Sequence, residues 1–194
     1  MPPRRRRNPP TPSFPRQAAG SWNLCCIQGY YSTRLAILET AAEITLFVAL
    51  AGSAIVAGGQ LFCLLAVVPA FPDWPKEFGP AVHQHALSIR PHRYLRVVAL
   101  IVLVTGLATV LIERSTDTPV VLAGIAWALA LVSSLISSRE WPINHEIDSW
   151  EDSRSEEQMR RWEILRKKWD DRHLVRTIIS LASLACFAAA AAFY

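Results

Sequence analysis

Charge is scarce in this 194-residue sequence: only 19% of its residues are Asp, Glu, Lys or Arg, against 52% hydrophobic. A soluble domain of this size carries nearer a quarter. The deficit is concentrated. No charged residue occurs in Ile44–Pro72, Val97–Ile112, Thr118–Ser138 or Thr177–Tyr194. Four such stretches leave too little polar sequence to cover them in water, which excludes a soluble enzyme and a purely disordered chain. Cysteine is also sparse. The same apolar stretches exclude a secreted disulfide scaffold, and Cys25, Cys26, Cys63 and Cys186 form no C-x-x-C pair, with two of them inside apolar stretches, which argues against a zinc ribbon or a thiol-redox enzyme. Buried, inert thiols account for Cys63 and Cys186.

What is present reads as an all-α integral membrane four-helix bundle. Residues 1–40 form a Pro/Arg-rich tail, with Arg4–Arg7 set among prolines that prevent a helix, so the tail is expected to be disordered. The absence of acidic residues before Glu39 invites a transit-peptide reading. A basic arm on anionic headgroups explains the charge better, and the pattern shows no secretory signal. Residues 41–194 form the membrane domain, with spans at about 42–68, 94–112, 119–137 and 173–193. Ile44–Pro69 covers a hydrocarbon core of roughly 30 Å with tilt. Its pairs Ser53/Ala57 and Ala54/Gly58 suit close helix approach and leave a homodimer open. Glu113–Thr118 is so short that the second and third spans must form an antiparallel hairpin. The alanine run of the fourth span is expected inside the bundle.

An even number of spans puts loops 70–93 and 139–172 on one side. The positive-inside rule favours the cytoplasm for them, and an endoplasmic-reticulum or other endomembrane location fits a eukaryotic source. Met159, Trp162, Leu165, Trp169 and His173 recur at helical spacing, so the fourth span should begin outside the membrane as an amphipathic helix. The net charge of +4 is explained by span-flanking residues, so no nucleic-acid partner is expected.

All five histidines (His83, His85, His92, His145 and His173) fall on the loop face. His83, His85 and His92 offer imidazoles to copper or iron, although H-x-H is an unspecific spacing. Trp169, His173 and Arg176 share one helix face, and Arg176 needs a partner at that depth, for which Glu146, Asp148 or a bound anion are candidates. Pro142 should end the third helix and hold Trp141 extended. Asn144 then serves either as a helix cap or as an amide turned toward His173. Gln60 is a lone amide at depth and must find a partner on a helix or in a cavity.

Trp141-Pro142-Ile143-Asn144-His145 resembles the P-x-N motif of the DUF1772 family of small four-span membrane proteins, which includes the fungal anthrone oxygenases. Trp169 to Thr177 resembles that family's W-x-x-x-H-x-x-R-T motif, and the likeness covers roughly Ala41–Phe193. His145 stands where the family commonly has a second Asn, and the tail has no counterpart. The resemblance implies oxidation of a lipophilic aromatic polyketide, anthrone to anthraquinone, by O₂ without an organic cofactor. Under it His173 is the base, and Arg176 and Asn144 hold the enolate oxygen. Trp169 and Trp141 stack on the substrate; beside what the resemblance implies, Gln60 and His145 are further candidate substrate-binding residues. The alternatives are a copper- or iron-dependent membrane oxygenase or cyclase on another lipophilic metabolite, and a non-catalytic four-span assembly or scaffold protein.

Overall fold

The computed structural model describes the backbone of residues 19–73, 78–113, 115–150 and 155–194, and the side chains within residues 34–73, 78–85, 94–113, 115–150 and 155–194. Contacts divide the chain into two compact units, residues 1–37 and 38–194. In the first, helix α1 (Ala19–Phe62) begins right after the proline-rich segment. The helix therefore starts well before residue 41, where the membrane domain was placed. Its cause is plain: the last tail proline is Pro15, and Ala18–Thr40 contains no proline to interrupt a helix. Residues 1–18, and with them the Arg4–Arg7 run, lie outside the described residues, as do the side chains of Cys25 and Cys26.

The second unit is all-helical among the described residues. After α1 come a π-helical turn (Cys63–Val67) and a single 3₁₀ turn (Phe71–Asp73). Pro69 explains the widening, because it removes the N–H that would close onto the Leu65 carbonyl. The short helix α2 (Phe78–Val82) leads through a second π-helical stretch (His83–Ser88) into α3 (Ile89–Glu113). Helices α4 (Thr118–Ser138), α5 (Trp141–Asp148) and α6 (Glu156–Phe193) complete the chain. Pro119 occupies the first turn of α4, where a missing N–H costs nothing.

Among the described residues, four helices are long and apolar enough to cross a membrane: Arg34–Asp73, Tyr94–Glu113, Thr118–Asp148 and Glu156–Phe193. Phe47, Leu65, Val104 and Ile178 present their side chains outward, as lipid-facing positions do. Helix α6 has 38 residues, about 57 Å at 1.5 Å each, nearly twice a hydrocarbon core. Its N-terminal half thus stands beyond the membrane, opened by a capping box between Ser155 and Gln158. Trp162, Leu165, Trp169 and His173 are all buried on one stripe of it.

Two cores result. Within the bundle, Leu46, Ala49, Val102, Ala123, Ala126, Phe187 and Ala190 pack together, so the alanine run is partly internal. At the loop face, Cys63, Phe71, Ile143, Ile147, Trp162, Leu165 and Trp169 form the second. Of the small-residue pairs on α1, Ser53 and Ala57 are buried, whereas Gly58 faces open space. Gly52 sets how closely α1 approaches α3: a Cβ there would lie 2.7 Å from Val102 Cγ2.

Candidate functional site

A cavity of about 540 Å³ lies between α1, α3, α4 and α6, near the loop face. Its walls are apolar on the α3 side (Leu95, Ala99, Leu100, Leu103) and carry serines on α4 and α6. Trp141 and Arg96 also line it, and both side chains are exposed, so they mark its mouth. That volume falls in the range of sites for drug-sized molecules. Three residues singled out from the sequence reach the cavity wall: Gln60, Trp141 and Arg176.

Arg176 is the buried charge of the site. Its Nη1 pairs with Glu140 Oε2, and the two side chains are 11% and 0% exposed. Nε and Nη2 both point at His173 Nδ1, at 3.1 and 2.6 Å. His173 Nε2 lies 3.0 Å from the Gln60 backbone carbonyl. A carbonyl can only accept, so Nε2 carries the proton and Nδ1 accepts from Arg176. Both ring nitrogens are thereby occupied within the protein, and His173 presents neither to the cavity. Of the five guanidinium N–H groups, one on Nη2 has no partner among the described residues.

The partner of Arg176 is therefore Glu140, not Glu146 or Asp148. Glu146 is engaged by Arg161, with N···O distances of 2.7 and 3.2 Å. The difference arises at the end of α4. Trp141 is helical rather than extended, and Pro142 sits in the first turn of α5 instead of ending the preceding helix. The break falls two residues earlier, at Arg139–Glu140, and Glu140 becomes the residue before α5 with its side chain turned to α6. It is the charged residue that sequence reasoning missed. Its signal was available: Glu140 is the first carboxylate after the third uncharged stretch.

The other motif residues lie behind this pair. Trp169 is buried and stacks on His173, with ring centroids 4.7 Å apart and planes within 6°. The guanidinium of Arg176 lies 5.7 Å from the Trp169 ring centre. Asn144 is inside α5, not a cap, and its Oδ1 meets His83 Nε2 at 3.0 Å rather than reaching His173. His83 fits edge-on between Trp162 and Trp169, at 5.4 and 5.3 Å. Burial lowers its pKa below the usual 6.5, an effect the bond to Asn144 partly offsets. His145 is exposed and stacks on Trp141 with centroids 5.4 Å apart. It does not line the cavity.

The donor set proposed for copper or iron fits poorly. His83 spends Nε2 on Asn144 inside an aromatic cage, His85 is exposed, and the side chain of His92 lies outside the described residues. Among the described residues no three His, Cys, Asp or Glu side chains are grouped to hold a metal ion.

No curated protein and no solved structure matches this sequence. A family model described as anthrone oxygenase matches residues 85–186, just over half of the chain. The match takes in α3 to most of α6, and with them Glu140, Asn144, Trp169, His173 and Arg176. The chain belongs to the anthrone oxygenase family.

Proposed function

We propose that the protein oxidises a flat, lipophilic phenolic ketone of the anthrone type to the corresponding quinone, using O₂ and a bound enolate as the reacting pair. The observation that carries this is Arg176, a buried guanidinium held by Glu140 and His173 that lines a largely apolar cavity and keeps one Nη2 N–H without a partner among the described residues. Such a group stabilises an oxyanion most where water is scarce. An anthrone's ring CH₂ is acidified by its ketone, and the enolate oxygen would take the uncommitted Nη2 N–H.

Charge balance selects the proton acceptor. The Arg176–Glu140 pair is neutral, so an enolate added beside it leaves one excess negative charge in a low dielectric. Moving the substrate proton to Glu140 keeps the site neutral: the enolate replaces the carboxylate on Arg176 as the carboxylate becomes an acid. Glu140 Oε1 has no hydrogen-bond partner among the described residues and can hold that proton, which has to reach it past Arg176 because Glu140 itself is not on the cavity wall. His173 acts here by orienting Arg176, a different role from the base the family resemblance implied. The electron-rich enolate then passes an electron to O₂. The radical pair joins as a peroxide at the ring carbon, and loss of water leaves the new carbonyl. One substrate and one O₂ yield one quinone and one H₂O, with no organic cofactor required.

The test is to express the protein in membranes and supply emodin anthrone under air and under argon. Quinone formation should need both protein and O₂, and should fall about 10²- to 10³-fold in Arg176→Met, the usual loss for one oxyanion donor. Equal rates with and without the protein would sink the proposal.

A further inference from the structure

The polar atoms of the cavity wall are unevenly matched in kind. Ser134, Ser137 and Ser138 donate their hydroxyl protons to carbonyls of their own helix, Ala130, Ser133 and Leu135. Ser183 donates to Ala126, and Ser133 and Ser180 bond each other at 2.7 Å. The wall built by α4 and α6 therefore faces a ligand with oxygen lone pairs rather than with donors. Across from it, Gln60 on α1 is 6% exposed, and its side-chain carbonyl oxygen has no partner among the described residues. A buried acceptor left unused costs stability, so the position is explained by something that fills it.

From the unmatched Gln60 carbonyl beside a wall of spent serine hydroxyls, we infer that this cavity selects substrates by a free hydroxyl donor. The contact falls on a substrate oxygen other than the one bound at Arg176. This rests on the proposed site and names its substrate class: free phenols rather than their methyl ethers or deoxy analogues. Gln60 is the specificity-determining residue, and it lies outside the family-matched residues 85–186. A methyl ether offers the Gln60 oxygen no proton, and a deoxy ring likewise leaves that oxygen dry and unpaired. Either loses the bond and keeps the desolvation cost.

The experiment compares emodin anthrone with analogues in which its hydroxyls are methylated or removed one at a time. It uses the full-length protein and Gln60→Met, an apolar residue of similar length. Ligand-induced stabilisation is measured under argon and quinone formation under air. In the unaltered protein, one position should weaken binding about ten- to a hundredfold on both methylation and removal. In Gln60→Met that preference should vanish, while the fully hydroxylated ligand binds less tightly. Equal binding of all analogues by the unaltered protein overturns the inference, as does a preference that survives in Gln60→Met. A Gln60-dependent binding preference without quinone formation overturns the oxidation and leaves the selection standing, so the two failures are distinguishable.

Discussion

Removing the Glu140 carboxylate separates what the Arg176–Glu140 pair does for the fold from what it does for chemistry. Glu140 is fully buried and the Arg176 side chain is 11% exposed. Glu140→Leu leaves a guanidinium without its counter-ion, and breaking a buried pair from one side costs about 3–5 kcal/mol. Arg176 keeps His173 as an acceptor and borders a cavity that can admit water, so the lower end applies, about 3 kcal/mol. Glu140→Gln retains an acceptor but not the charge, for a loss of about 2 kcal/mol. In the double variant Glu140→Leu/Arg176→Met neither charge remains, the desolvation penalty disappears with both, and stability should return to within about 1 kcal/mol of the unaltered protein. The assay is unfolding in mixed micelles with increasing denaturing detergent, followed by tryptophan fluorescence, with the coupling taken from the double-mutant cycle. All variants should be inactive toward emodin anthrone, including the restabilised double. Additive losses in the double variant, or single variants within about 0.5 kcal/mol of the parent, would falsify the account of a charge pair isolated from solvent.

Three further outcomes follow from particular contacts. Gly52→Ala puts a Cβ 2.7 Å from Val102 Cγ2 and must move α1 off α3, at about 1–3 kcal/mol; Gly58→Ala, whose Cβ meets nothing within 4 Å, is the control in the same unfolding assay. His83 has its pKa depressed by burial, so below about 6.5 the unfolded chain binds more protons than the folded one and stability falls as pH drops; comparing unfolding at pH 7.5 and 5.5 should show this loss, and His83→Gln should flatten it. Trp169→Leu removes the plane on which His173 rests and should lower kcat about tenfold or more through misplacement of Arg176; a change confined to KM would place Trp169 against the substrate instead.

The four spans were legible because lipid demands long uncharged runs, and such runs are one-dimensional. The Glu113–Thr118 hairpin and the amphipathic entry to α6 were legible for related reasons: one rests on length, the other on a period of 3.6. The register of charge partners was not. Glu140, Glu146 and Asp148 lie within nine residues of one another, and which of them reaches Arg176 depends on where the chain turns. Reading Pro142 as a stop put that turn after Trp141, whereas the break at Arg139–Glu140 uses Pro142 as a helix starter. Both readings obey what proline permits. A shift of two residues rotates a helix by more than half a turn, enough to send a different carboxylate inward.

The same geometry explains why residues with recognisable spacing are not the ones that line the cavity. Trp169, His173 and Arg176 share a helix face, but that face points at α5 and the loop-face core as well as at the cavity. Only the longest and most C-terminal of the three extends past the packing into the open space. Asn144, His83, Trp169 and His173 form a continuous chain of contacts ending on that guanidinium. Their spacing therefore serves the placement of one charge, which under the proposed function tolerates little error because electrostatic stabilisation depends on preorganisation. The wall residues answer to a different constraint. Gln60 and the serines of α4 and α6 are placed by helix rotation alone, a property written in no short motif. Under the proposed function, selectivity can change at such positions without disturbing the clamp on Arg176, which makes α1 the part of the bundle where a change of preferred substrate is expected to be written.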